Sequence, residues 1–235
     1  MTTRKRISAV ALVMTVVAGL FAPAAEAAAT RYVTVSAQGS VKVVPDAVRI
    51  NATATAVAAS SKEALATTAK TASAVRAALK SAKIDSKDIS TQSVTVYPEY
   101  KYNTDGSSTL VGYRGSQSFT IIVRAADTAG SVVDALVAAG GDNLQINGAT
   151  PFILDSTKSL EAARAAAVKS AKAKALSYAK LLGVKLGKVN YLVENSAPAN
   201  YTPVMATAKS EADATVIDLG LQEVSISVSV QWALL

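Results

Sequence analysis

The chain contains no cysteine and no histidine in 235 residues, and aromatic residues make up only 5% of it. Without cysteine there is no disulfide framework, no thiolate nucleophile and no Cys-ligated zinc. Without histidine there is no Ser-His-Asp triad and no imidazole metal site. These absences remove many familiar enzyme classes and leave a fold that must stand on packing or association alone. Hydrophobic residues, by contrast, form 50% of the chain, and many of them are Ala. Ala favours helix and close approach of elements but buries little area per residue, so the sequence predicts a tightly fitted aliphatic core.

Part of the hydrophobicity lies at the start. Arg4, Lys5 and Arg6 precede an apolar run from Ile7 to Ala22, which ends in the small-residue stretch Pro23 to Ala29. A basic start, an apolar run of about 16 residues that is short for a bilayer core of ~30 Å, and an A-x-A site together describe a secretory signal peptide. Ala25-Glu26-Ala27 places the cut after Ala27, with Ala29 as the alternative. Residues 1–27 are then the signal peptide and residues 28–235 a single exported domain, secreted or periplasmic, in the cell envelope. The leader carries three cations and one Glu, so its removal lowers the formal charge from +7 to +5. The remaining basic residues are scattered and not interleaved with aromatics, which argues against nucleic acid as a partner and leaves only weak attraction to anionic envelope components.

Beyond the leader, Val33, Val35, Val41 and Val43 alternate with polar residues, Pro45-Asp46 turns the chain, and Val48, Ile50, Ala52 and Ala54 alternate again. This pattern predicts an antiparallel hairpin. Ser60-Ser61-Lys62-Glu63 reads as a capping box opening a helix, with Leu65, Ala69, Ala72, Val75, Leu79 and Ala82 inward. Runs Ile89 to Tyr102 and Leu110 to Arg124 flank Asn103-Thr104-Asp105-Gly106 and predict a second hairpin. Asp127 or Thr128 caps a shorter helix stopped by Gly140-Gly141, and Leu144 to Leu154 returns as a strand. A long helix runs from Asp155-Ser156-Thr157 to Leu182, with Leu160, Ala163, Ala167, Ala171, Ala175, Tyr178 and Leu182 inward. Lys188 to Glu194 is a strand, residues 196–220 are an irregular loop, and Val224 to Trp232 alternate as the last strand. The predicted fold class is α+β: a mixed, mostly antiparallel sheet with helices packed on one face, containing two strand-helix-strand crossovers and two hairpins.

Catalytic constellations are sparse. Ser177-Tyr178-Ala179-Lys180 has the S-x-x-K spacing of acyl enzymes, but it falls late in a helix and lacks the companion motifs. Asp134, Asp142, Asp155 and Glu161 carry no spacing that sets up a catalytic carboxylate pair, and Asp155 is explained by capping. Gly141-Asp142-Asn143 is a turn rather than a calcium loop, and no phosphate-binding glycine motif occurs. No catalytic residue, metal ligand or cofactor site is assigned. Tyr97, Tyr100 and Tyr102 cluster at the second hairpin; half-buried rings covering a strand pair are expected, with stacking on sugars or a partner chain as the alternative.

The Gly39 strand with Val44-Pro45-Asp46-Ala47, then Asp88-Ile89-Ser90-Thr91, Tyr97-Pro98-Glu99-Tyr100, Gly112-Tyr113, Glu161 to Ala167, Ala179 to Gly183 and Glu223-Val224-Ser225 occur in an order that resembles the SIMPL domain family. The resemblance covers nearly the whole chain beyond the leader. It implies an exported α+β protein without established enzymatic activity, with a protective role under stress, oxidative stress included, whose members build ring or channel-like homo-oligomers. Where the family often has a Met- and Pro-rich stretch before its last strand, this chain has Met205, Pro198 and Pro203. A loop of about 25 residues is uncommon in a compact domain, and in this one Tyr201, Val204, Met205, Val216, Ile217 and Leu219 would expose apolar surface on a monomer. They are the candidate oligomer interface; the rival is that they fold back on their own sheet. The expected function is therefore non-enzymatic, through self-association or partner binding, against two alternatives: an envelope glycan or peptide hydrolase using carboxylates, and a small-ligand binding module.

Overall fold

The computed structural model describes residues 31–195, 203–204 and 215–235; the expected signal peptide lies outside them. The elements run β1 (Tyr32–Val43), β2 (Ala47–Ala58), α1 (Ser61–Ser81), β3 (Ile89–Tyr102), β4 (Ser108–Val123), α2 (Ala129–Gly140), β5 (Leu144–Phe152), α3 (Thr157–Leu181), β6 (Leu186–Glu194), a two-residue β7 (Pro203–Val204) and β8 (Leu221–Leu234). The fold is α+β, and the described strand pairs are all antiparallel. In place of one mixed sheet, the described strands form two sheets, one ordered β1-β8-β6 with β7 also on β8, the other β3-β4-β2-β5.

The hairpin expected of β1 and β2 does not form. β1 pairs along its length with β8, from Tyr32 opposite Ala233 to Val43 opposite Gln222, whereas β2 lies between β4 and β5. Asp46 shows why the intervening turn leads from one sheet to the other. Its backbone carbonyl accepts a hydrogen bond from Ala126 N–H, and its carboxylate accepts one from Leu154 N–H at 2.8 Å. The turn is thereby tied to the segments that follow β4 and β5. Alternation specifies which face of a strand is buried; it is silent on which strand lies alongside.

In the second sheet, β2 and β3 run parallel with β4 between them, and β4 and β5 run parallel with β2 between them. The segment is a βαββαβ unit with split crossovers. Helices α1 and α2 pack side by side over its inner face, where Ile50, Ala52, Ala54, Phe119, Ile121, Val75, Leu79, Val132 and Leu136 form one buried cluster. A second cluster lies between α3 and the other sheet, built from Val35, Ala37, Ala163, Ala167, Ala171, Ala175, Ile226, Val228, Val230 and Trp232. The outer faces are rich in Ser, Thr, Asn and Gln, joined by cross-strand bonds such as Ser36 to Ser229 and Thr120 to Asn51, as expected of antiparallel sheets wetted on one side.

Close approach explains where the helix stripes depart from expectation. A Cβ on Gly39 of β1 would stand 2.1 Å from Ala167 N and 2.4 Å from Ala163 O, so the α3 backbone rests directly on β1. Only Ala fits along such a seam, and the buried stripe continues through Ala179. Tyr178 and Leu182, expected inward, are exposed. On α1 the buried residues are Ala64, Thr68, Thr71, Ala72, Val75 and Leu79, and Leu65 and Ala69 face outward. Gly115 of β4 is the cause: its missing side chain leaves room for Ala64 O and Thr68 Oγ1, at 2.8 and 2.7 Å from where a Cβ would stand.

The caps follow the same local logic. Ser60 Oγ accepts from Glu63 N–H at 3.3 Å, as the capping box predicts. Asp155 accepts from Thr157 N–H. Thr128 is the N-cap residue of α2, but its side chain makes no capping bond; its hydroxyl donates instead to Ala125 O in a 3-10 turn over Ala126–Thr128.

Candidate interaction surface

β3 is an edge strand of 14 residues, far longer than the usual ~5–6, and its outer backbone edge has no neighbour among the described residues. β4 pairs with β2 only from Val48 opposite Val123 to Ala58 opposite Tyr113. Beyond that point β3 and β4 continue alone, with Glu99 opposite Gly112, Tyr100 opposite Leu110 and Tyr102 opposite Ser108. The end of the hairpin is therefore a two-stranded ribbon projecting past the sheet.

Its turn is held by local bonds. Asn103 N–H donates to Ser107 O, Gly106 N–H to Asn103 O, and Ser107 donates to Asp105 Oδ1 from both its backbone and its hydroxyl. Gly106 takes φ +83°, which a residue without Cβ adopts freely. The Ser107 hydrogen bonds hold the Asp105 carboxyl below its ordinary pKa of 3.8. At the neck of the ribbon, Arg114 donates to Glu99 and to Thr55, linking β3, β4 and β2. The Glu99 hydrogen bond raises the Arg114 pKa. At the far end of the hairpin, buried Asp88 accepts two bonds from Arg124, each 2.7 Å. The Arg124 hydrogen bond lowers the Asp88 pKa, partly against the effect of burial. The hairpin is clamped at its root and neck and open at its tip.

Apolar side chains decorate this open part. Val94, Val96, Tyr97, Tyr100, Leu110 and Val111 are about half exposed, and Tyr102 is 81% exposed. Val94 and Val96 stand opposite Gln117 and Gly115 on the helix-bearing face. They stay exposed because α1 lies over β4 and β2 and barely reaches the edge strand. Tyr97 and Tyr100 are thus half buried on the strand pair, as expected, whereas Tyr102 covers almost none of it. Val94, Val96, Leu110 and Val111 were not among the interface residues expected from the sequence. The signal for them is strand length, since runs of 14 and 16 residues outlast the 12-residue β2 between them and β5.

Residues 33–232 match the SIMPL family, described as a protein of unknown function (DUF541). The chain belongs to the SIMPL family. It is 28% identical over 209 residues to the 26 kDa periplasmic immunogenic protein of Brucella melitensis, with 84% of this chain and 82% of that protein covered. It is 30% identical over 203 residues to the uncharacterized protein YggE of Escherichia coli K12, covering 83% and 78% of the two chains. A third relative, YggE of Edwardsiella ictaluri, is 33% identical over 138 residues, 56% of each chain. The SIMPL match runs from β1 to β8, so both sheets belong to the family unit.

Within this SIMPL chain the residues of the expected loop interface are dispersed. Tyr201 and Met205 lie outside the described residues. Val204 stands in β7, backbone-paired with Leu221 of β8. Val216 is exposed, whereas Ile217 and Leu219 pack against the cluster beneath α1 and α2. They do so because Asp134 of α2 accepts hydrogen bonds from Thr215 N–H and Oγ1, the latter at 2.6 Å, and pins the segment to the helix. The apolar exposure inferred for the loop holds for Val216 and not for Ile217 or Leu219.

The carboxylates and the S-x-x-K residues have separate structural places. Asp134 is occupied by its long-range hydrogen bonds from Thr215, Asp155 accepts from the nearby Thr157 N–H, and Asp142 sits in the turn after α2. Among the described residues no three acidic side chains gather as a metal site. Ser177 and Lys180 lie on exposed positions of α3. No described helix is long and apolar enough to cross a membrane.

Proposed function

We propose that this SIMPL protein is a non-enzymatic component of the cell envelope that works by self-association through the β3 edge and the ribbon tip. The observation that carries the reading is the 14-residue edge strand that bears Val94, Val96, Tyr97, Tyr100 and Tyr102 and whose outer edge has no neighbour among the described residues. A long, apolar edge strand is a template for pairing with another chain. A two-stranded ribbon in water is marginal by itself, so packing the tyrosines, Leu110 and Val111 against a second copy supplies the third layer that the ribbon lacks. The name of the Brucella relative supports a periplasmic location, in keeping with the basic and apolar start of the sequence.

Native mass measurement of the exported protein, beside the variant Tyr102→Asp/Leu110→Asp, tests this. The expected result is a multi-subunit mass for the natural sequence and a folded monomer for the variant. A monomeric natural protein at micromolar concentration, or an unchanged assembly in the variant, would overturn it.

A further inference from the structure

An apolar concavity lies on the other sheet, between α3 and β6. Helix α3 packs over β1 and β8 and touches β6 only marginally. Val189 and Leu192 of β6 stand opposite Trp232 and Val230 of β8 and so share their inner face. Yet Val230 and Trp232 are buried while Val189 and Leu192 are half exposed. The space left open beside the helix is a groove of about 480 Å³, within the ~300–1,000 Å³ range of small-molecule sites.

Its composition is specific. One wall is Val168, Lys172 and Leu176, spaced four residues apart on α3, and the other is Leu186, Lys188, Val189 and Leu192, with Trp232 and Val230 as the floor. Four-residue spacing keeps the three helix residues on one face over about 12 Å. On β6 the register shifts between Leu186 and Val189 and again between Val189 and Tyr191, which lets the consecutive Lys188 and Val189 both reach the groove. Among the described residues, the charged side chains lining it are Lys172 and Lys188, both exposed. Neither has a hydrogen-bond or ion-pair partner among the described residues.

We infer that this groove binds one fatty carboxylate of medium chain length, its chain lying between Val168–Leu176 and Val189–Leu192 and its carboxylate meeting Lys172 and Lys188. An apolar slot with an uncompensated positive rim is complementary to an amphiphile that has one anionic head. A second copy of the chain fits it poorly: a symmetric contact would set concave surface against concave surface and lysine against lysine.

Trp232 is the sole tryptophan and forms the groove floor, so its emission reports on this site. Titrating the exported protein with decanoate should give a saturable change in emission at one ligand per chain. Octanoate should bind about tenfold more weakly, as two fewer buried methylenes require. Lys172→Glu/Lys188→Glu should weaken decanoate at least tenfold and leave decanol binding unchanged. Because both lysines are exposed and unpaired, the double variant keeps its fold, which its thermal melt verifies. Several results would sink the inference: no response to decanoate, equal affinity for octanoate, or a double variant that binds decanoate normally. A response only to vesicles containing phosphatidylglycerol would replace the fatty carboxylate with a membrane surface. A response that follows native mass instead of ligand would make the groove a contact between copies.

Discussion

Replacing Gly39 by Ala adds one methyl group where the α3 backbone rests on β1. The new Cβ would stand 2.1 Å from Ala167 N and 2.4 Å from Ala163 O, against an ordinary contact of 3.4–4 Å. The helix must therefore retreat by about 1.3 Å at this point. No side-chain rotation can relieve the clash, because both obstructing atoms are backbone. Retreat also loosens the fully buried contacts of Ala163, Ala167, Ala171 and Ala175 with Val35, Ala37, Ile226 and Val228. Overpacking by a methyl group costs about 1–3 kcal/mol, and backbone obstruction places this case near the upper end, ~3 kcal/mol. For a chain of this size each kcal/mol moves the melting midpoint by roughly 2–4 °C, so Gly39→Ala should melt about 6–12 °C lower. The comparison is Gly106→Ala, where φ is +83° and nothing lies within 4 Å. That change carries only the left-handed backbone penalty of about 1–2 kcal/mol. Thermal and urea unfolding followed by circular dichroism, at one fixed protein concentration because association would shift the midpoint, separates the two. If Gly39→Ala melts within about 2 °C of the natural protein, the smallest shift for ~1 kcal/mol and about a third of the smallest drop expected here, or is no less stable than Gly106→Ala, the helix is not seated as described.

Asp88→Asn should weaken the hairpin root by about 1–2 kcal/mol at neutral pH, the range for a charged hydrogen bond discounted because Arg124 is half exposed. Since the Asp88 pKa is lowered in the fold, its stabilisation is full above the unfolded carboxyl pKa and is lost as pH falls through the folded value. Urea midpoints of the two proteins should therefore converge as the pH is lowered, and a gap that does not narrow in acid would refute the ion-pair assignment. Asp134→Ala removes both acceptors of Thr215, so amide exchange at residues 215–219 should quicken at least tenfold while β4 stays protected; unchanged exchange there would mean that Ile217 and Leu219 hold the segment unaided.

Much of the local structure was legible along the chain because its causes are local. Ser60 and Glu63 mark the start of α1 through hydrogen bonds three residues apart, and Asp105-Gly106 marks the β3–β4 turn through a backbone conformation. Alternation identifies the buried faces of β2 and β8, and the i, i+4 recurrence of Ala identifies the seam of α3 from Ala163 to Ala175. The interaction surface was less legible. Tyr97, Tyr100 and Tyr102 are visible as a group, but their exposure depends on how far α1 and β2 extend beneath them.

The sequence by itself determined the helices, the strand faces, the β3–β4 turn and the membership of the chain in its family, since each is written in spacings of two to four residues or in the order of short motifs. Only the tertiary structure decided that β1 lies beside β8 and not β2, that the described strands form two sheets with two cores, and that Gly115 turns the α1 stripe by one residue. It also decided that Val189 and Leu192 remain open to solvent beside buried Val230 and Trp232. The physical reason is that a strand's period fixes which face is apolar, whereas its neighbour is chosen by closure of the whole chain: β1 and β8 stand nearly 200 residues apart, and no local pattern encodes their meeting.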